Sequence, residues 1–210
     1  MREPCLKKNC NLCNLKAKKQ QGAFELNKAL FIIDMQNDFV LPQGVLCVKG
    51  ASATIPGIKK LLEHARAENW TIVHVIREHD KDGINADKPR RRLFENAGHG
   101  YCVADSFGAQ IVKELEPLEN EIILKKTRNS AFFETNLDLI LRRLDVKRIY
   151  VCGTQYPNCI RATANDAMSY DYDVTVVTDC CSAQSEDVAR ANIFDMKNMG
   201  IECLSLNEII

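Results

Sequence analysis

The sequence predicts a three-layer α/β/α sandwich built on a mainly parallel, doubly wound sheet of six strands. Three observations carry that expectation. Six short runs are almost continuously apolar, as strands covered on both faces must be. Stretches with helical spacing of apolar residues separate them, the alternation that parallel strands joined by crossover helices produce. No internal repeat and no long Gly/Ser/Pro linker divides the 210 residues, so one domain with a short extension suffices.

The strands are expected at residues 29–34, 70–77, 121–125, 148–153, 174–179 and 201–206. Thr54 before Ile55 and Pro56 reads as a helix start, with Ile55, Ile58, Leu62 and Ala65 on one stripe. Leu137, Ile140, Leu141 and Leu144 recur at helical spacing after Thr135, and Ile160, Ala164, Ala167 and Met168 do so in a helix expected over 158–168. Ser185 followed by Glu186 and Asp187 is an N-terminal signature, and Gly200 a stop. Right-handed crossovers bring every strand's carboxyl end to one edge, where ligands bind. Two regions stand apart: a Cys- and Lys-rich extension, 1–27, preceding the domain at 28–210, and a long polar segment, 78–105, containing Arg90, Arg91 and Arg92. A loop of that length is expected to serve as a lid or an active-site wall.

Composition narrows the function classes. Lys plus Arg and Asp plus Glu each number 28, giving zero net charge, without the electrostatic footprint of a nucleic-acid binder. Apolar runs such as 29–33 are too short to span a membrane, and the first thirteen residues lack the apolar core of a secretory signal. A cytoplasmic protein acting on a small molecule is expected. The ten cysteines then read as reduced thiols, used partly as small hydrophobes. Cys5, Cys10 and Cys13 contain a zinc half-site spacing, but structural zinc wants four ligands, so three thiols beside Lys7 and Lys8 without metal is the simpler reading.

Three residues promise chemistry because each closes an apolar run or opens a helix at that shared edge. Asp34 ends the first strand, Lys126 follows the third, and Cys159 stands near the start of the helix after the fourth. A charge closing an apolar strand is costly unless paired or used. The positive end of a helix and a nearby ammonium favour a thiolate, and a carboxylate can take the thiol proton. Taken singly, such an Asp is commonly a cap, such a Lys solvated, and such a Cys packing.

The surrounding motifs decide the matter. Asp34-Met35-Gln36-Asn37-Asp38-Phe39 resembles the D-x-Q-N-D-F signature of isochorismatase-like cysteine hydrolases, and Lys126 to Phe132 resembles their K-x-x-x-S-A-F segment. Gly153 to Ala164, with Cys159 inside it, is similar to their G-x-x-x-x-x-C-V-x-x-T-A block, and the region of Asp179 resembles a later strand end. The resemblance implies a triad of Asp34, Lys126 and Cys159. It also implies a cis peptide at Thr154–Gln155 that aims the backbone N–H groups of Gln155 and Cys159 at one point, an oxyanion hole. Gln36, Phe39, Phe132 and Tyr156 then stand as substrate contacts, with core packing the alternative for the two phenylalanines. Family members are commonly homo-oligomers.

Nicotinamidases of this superfamily hold a metal beside the pocket with Asp-x-His and a later His. Here the corresponding strand end reads Arg77-Glu78-His79-Asp80, and His99 lies at a different offset. No metal and no other cofactor is therefore expected. The reaction expected is C–N cleavage of a small amide, ureido or carbamoyl compound through a thioester. A vinyl-ether hydrolase of the isochorismatase type, a metal-dependent nicotinamidase and a non-catalytic thiol or metal module remain alternatives. Arg77, Arg128 and Arg161 hint at an anionic substrate group, though surface ion pairs would also employ them.

Overall fold

The computed structural model describes residues 27–95 and 100–210; Cys5, Cys10, Cys13 and His99 lie outside the described residues. Six strands form one sheet: β1 (Asn27–Ile33), β2 (Thr71–Arg77), β3 (Ile122–Lys126), β4 (Val146–Thr154), β5 (Asp173–Ser182) and β6 (Glu202–Leu204). Their order is β3-β2-β1-β4-β5-β6, and every pairing is parallel. The direction of strand addition reverses between β1 and β4. That is the topological switch point, where a doubly wound sheet opens a crevice at its carboxyl edge. The helices are α1 (Asn37–Val40), α2 (Ala51–Ala67), α3 (Leu137–Arg143), α4 (Arg161–Ser169) and α5 (Glu186–Asn198). Together with the sheet they make the three-layer sandwich that the alternating pattern predicts.

Local chemistry explains some element ends. Ser185 caps α5 by accepting from the Val188 N–H, and Gly200 follows it at φ +93°, a conformation that glycine adopts without a side-chain clash. The helix expected to open near Thr54 begins earlier, at Ala51, with the Thr54 hydroxyl buried and donating to the Ala51 carbonyl at 2.8 Å. Pro56 is tolerated inside α2 because it and Ser52, whose carbonyl it leaves without a helical donor, are both exposed to solvent. Gly153 is required where β4 meets β1: at φ +114°, a Cβ there would stand 2.2 Å from the Ile33 carbonyl oxygen.

The main core contains β1 and β4 almost whole, with Ile58, Leu61 and Leu62 of α2 packed on it. A second, smaller apolar cluster lies beneath the 78–105 segment: Phe39, Tyr101, Cys102 and Ala109, flanked by Leu46, Leu93 and Phe94. This segment is ordered by more than that cluster. His79 pairs with Val103 in a short parallel bridge, and a 3₁₀ helix spans Lys88–Phe94. No helix among the described residues is long and apolar enough to cross a membrane. The seven cysteines among those residues are free thiols.

Candidate active site

β1 delivers Asp34 and bends it into the site. The residue sits at φ 51° while its N–H still donates to the Val75 carbonyl at 2.8 Å. Aspartate visits this left-handed region more readily than most side chains. Its Oδ2 accepts from Lys126 Nζ at 2.8 Å, both groups being buried. Its Oδ1 has no hydrogen-bond partner among the described residues. A buried carboxylate with one oxygen held by an ammonium and the other open is placed to receive a proton.

Cys159 arrives from β4. The peptide Thr154–Gln155 is cis, and Tyr156–Ile160 forms a wide helical turn before α4 begins at Arg161. The expected helix over 158–168 therefore starts later, and the sulfur belongs to the turn ahead of it. Side-chain bonds brace both sides of the site here: Tyr156 Oη, in the turn, donates to the Thr178 carbonyl at 2.8 Å, and beyond the turn the Ala131 N–H donates to Thr163 Oγ1 at 3.0 Å. The second bond ties the segment after β3 to the helix after Cys159. Burial first, then the Asp34 carboxylate, pushes the Cys159 thiol above its ordinary range, while Lys126 and Arg77 pull it down.

One residue of this centre was weighed only as a general hint of anion binding. Arg77, the last residue of β2, is 1% exposed. Its Nη2 donates to Cys159 Sγ at 3.4 Å and to Asn129 Oδ1 at 3.0 Å; Nη1 donates to Asp87 Oδ1 at 3.1 Å and to the Thr127 carbonyl at 3.2 Å. Arg77 and Lys126 are register partners across β2 and β3, so the two cations leave the sheet side by side. The signal was present in the sequence. The cost of a charge ending an apolar strand, applied above to Asp34 and Lys126, applies equally to Arg77.

The narrow cleft over the sulfur is lined by Asp34, Phe39, Val48, Arg77, Arg90, Thr154, Gln155, Asn158 and Cys159. Arg90 comes from the 3₁₀ helix of the 78–105 segment, held by Asp87 Oδ2 at 3.2 Å. This segment therefore walls the site. Of the expected substrate contacts, Phe39 reaches the cavity and three others are engaged elsewhere. Gln36 is wholly buried: its Nε2 donates to the carbonyls of Arg77 and Ala109, each at 2.7 Å, and its Oε1 accepts from the Arg77 N–H at 2.7 Å. Both amide donors and one acceptor position are spent joining the end of β1 to β2 and the 106–112 loop. Phe132 packs between Phe31 and the rings of Tyr170 and Tyr172. It is Phe133 that is exposed, beside a neighbouring hollow lined also by Asp87, Arg128, Asn129 and Ser130. Tyr156 is buried under the turn. Arg128 donates to the Asn85 carbonyl, and Arg161 pairs with Asp195.

Among the described residues, the donor set beside this cavity does not fit a metal. Arg77, a buried cation, stands at the end of β2. The His79 ring is buried against Phe94 and Tyr101, with Nδ1 on Asn85 Oδ1 at 3.2 Å. Burial and then the charge of Arg77 lower its pKa to about 4. Among the described residues no three His, Cys, Asp or Glu side chains are grouped to hold an ion.

Known proteins share this arrangement of fold and sequence. A probable inactive nicotinamidase of Arabidopsis thaliana is 39% identical over 184 residues, which cover 87% of this chain and 94% of the plant protein. A ureidoacrylate amidohydrolase of Agrobacterium fabrum is 27% identical over 188 residues, covering 80% and 82% respectively. A solved isochorismatase family protein of Desulfovibrio vulgaris is 55% identical with a TM-score of 0.86, covering 87% of this chain and 96% of its own. Residues 28–208 match the isochorismatase domain, and the chain belongs to the isochorismatase family of hydrolases.

Proposed function

We propose that this protein is a cysteine amidohydrolase that cleaves the C–N bond of a small amide, ureido or carbamoyl compound through a thioester on Cys159. The observation that carries the reading is the buried Asp34–Lys126 pair, with Asp34 Oδ1 buried and without a hydrogen-bond partner among the described residues, in a cleft lined by both Asp34 and Cys159. The thiol proton passes to Asp34, and the sulfur attacks the carbonyl carbon. The oxygen that becomes negative is received by the N–H groups of Gln155 and Cys159. Asp34 returns the proton to the departing nitrogen. It then takes one from water, which attacks the thioester and expels the sulfur.

The small cavity favours a substrate of few atoms beyond the reacting group, and Arg90 at its wall favours one with an anionic end. The name of the Agrobacterium relative, an amidohydrolase of a ureido acid, agrees with both. The name of the plant relative, a probable inactive nicotinamidase, supports a substrate other than nicotinamide, as does a donor set unsuited to a metal. A screen over amides, ureido acids and carbamoyl compounds, scored for ammonia, tests the proposal. Ammonia release by the parent protein, absent in Cys159→Ala, is expected. Pyruvate released from a vinyl ether, undiminished in Cys159→Ala, would replace this reading with the rival one.

A further inference from the structure

We propose that Arg77 is a catalytic residue: its guanidinium is the counter-cation of the Cys159 thiolate, as Lys126 is of the Asp34 carboxylate. The inference rests on the thiol-hydrolase reading above and adds to it a second, separately placed cation.

The reasoning concerns where one negative charge sits before and after a proton moves. At rest the charge is on Asp34, 2.8 Å from Lys126 Nζ. When the proton leaves Sγ for Asp34 Oδ1, the bonding electron pair stays on sulfur, and the charge has moved there. Both positions are buried, so a charge that left its partner without meeting another would be strongly disfavoured. Arg77 Nη2 already stands 3.4 Å from that sulfur. Two cations adjacent in register thus hold the two positions between which the charge travels. An arginine suits the second position because it stays protonated in every step and its planar fork can be fixed. Here it is fixed, by Asp87, Asn129 and the Thr127 carbonyl. Those acceptors are sufficient for a purely structural arginine; none requires Nη2 to face a sulfur.

The groups that face these two side chains are few. Cys159 is confronted by Asp34 from β1, Lys126 from β3 and Arg77 from β2. Arg77 meets Cys159, Asp34, Tyr101 and Asp87, with His79 close by and Arg90 beyond Asp87. The influence is reciprocal: Arg77 lowers the thiol pKa, and Cys159 raises that of the guanidinium.

The test is the pH dependence of Cys159 alkylation by iodoacetamide in the full chain, read at that cysteine by peptide mass spectrometry. In folded Arg77→Gln, alkylation at pH 7 is expected to slow at least tenfold, with the midpoint moving up by about one unit or more. Arg77→Lys should recover part of the shift. Asp87→Asn should move the midpoint down, since it removes the negative charge that offsets Arg77. An unchanged profile in folded Arg77→Gln overturns the proposal. If that variant does not fold, an unmoved or raised midpoint in Asp87→Asn overturns it instead. Alkylation needs no substrate, so failure here is distinct from failure of the ammonia screen.

Discussion

Removing Lys126 and removing Asp34 are different experiments, although both should stop turnover. Without Lys126, the Asp34 carboxylate remains buried and loses its ammonium. Breaking such a pair from one side costs about 3–5 kcal/mol, whereas replacing both members with uncharged groups is often neutral. Lys126→Ala should therefore lower the urea midpoint sharply, and Asp34→Asn with Lys126→Met should restore most of it without restoring activity. A Lys126→Ala protein as stable as the parent would show that the pair is not a buried ion pair. If the three act as the unit proposed above, activity losses at Asp34, Lys126 and Cys159 should reach orders of magnitude each and be far from additive. That these three residues meet at one edge of the sheet was legible in the sequence, because strand-end placement and motif coincide on them; their catalytic roles are the proposal made above. Gln36 misleads for a related reason. Its place in the Asp34 motif cannot separate a residue that touches substrate from one that fastens two strand ends together, and only its three 2.7 Å bonds to backbone reveal the second task.

Among the elements, the strands were readable, and so was the 78–105 segment as a wall of the site; the internal structure of that wall was not. The strands are continuous apolar runs buried on both faces, a pattern with few competitors. The bridge between His79 and Val103, the 3₁₀ helix and the short α1 are written in polar residues, where periodicity carries no information. What orders the wall is packing. The Phe94 ring lies so close to Gly83 and Gly100 that a Cβ on either would approach it to 2.3 and 2.7 Å. It also meets the rings of His79 and Tyr101. Phe94→Ala should release this segment locally: faster amide exchange over residues 80–95 and a several-fold rise in KM with a smaller change in kcat, because Arg90 is displaced while Cys159 is not. A fall in kcat with KM unchanged would place the effect on the triad instead. Gly153→Ala acts on the other side of the site. It drives a Cβ into the Ile33 backbone at a positive φ, and should lower stability by more than about 2 kcal/mol, seen as a reduced Tm.

For the whole molecule, acid is the condition that sets these groups against the fold. The folded protein holds His79 at a pKa of about 4, whereas the unfolded chain takes up that proton near 6.5. Its contribution to stability is full above pH 6.5 and is lost as pH falls toward 4, by at most about 3 kcal/mol. Buried His74, also lowered, acts in the same sense. Glu121 extends the loss further: burial alone would raise its pKa, but Arg66, the Leu118 N–H and His74 bring it down to about 2, so its stabilisation fades below its ordinary 4.5. Urea midpoints between pH 7.5 and 4 should fall steadily, and His79→Gln should flatten the upper part of that slope; an equal slope in the variant would remove His79 from the account. Deletion of residues 1–21 should leave turnover unchanged, as the family match begins at residue 28, and so should exhaustive chelation, measured on the same substrate. The division between the two cores has a last consequence. Asp34 and Lys126 sit at strand ends of the sheet and Cys159 in the turn after β4, whereas Arg90 belongs to a 3₁₀ turn whose Leu93 and Phe94 pack on the small, separate apolar cluster. Substitutions in that one turn are therefore expected to alter which substrates bind while leaving the proposed proton-transfer groups in place.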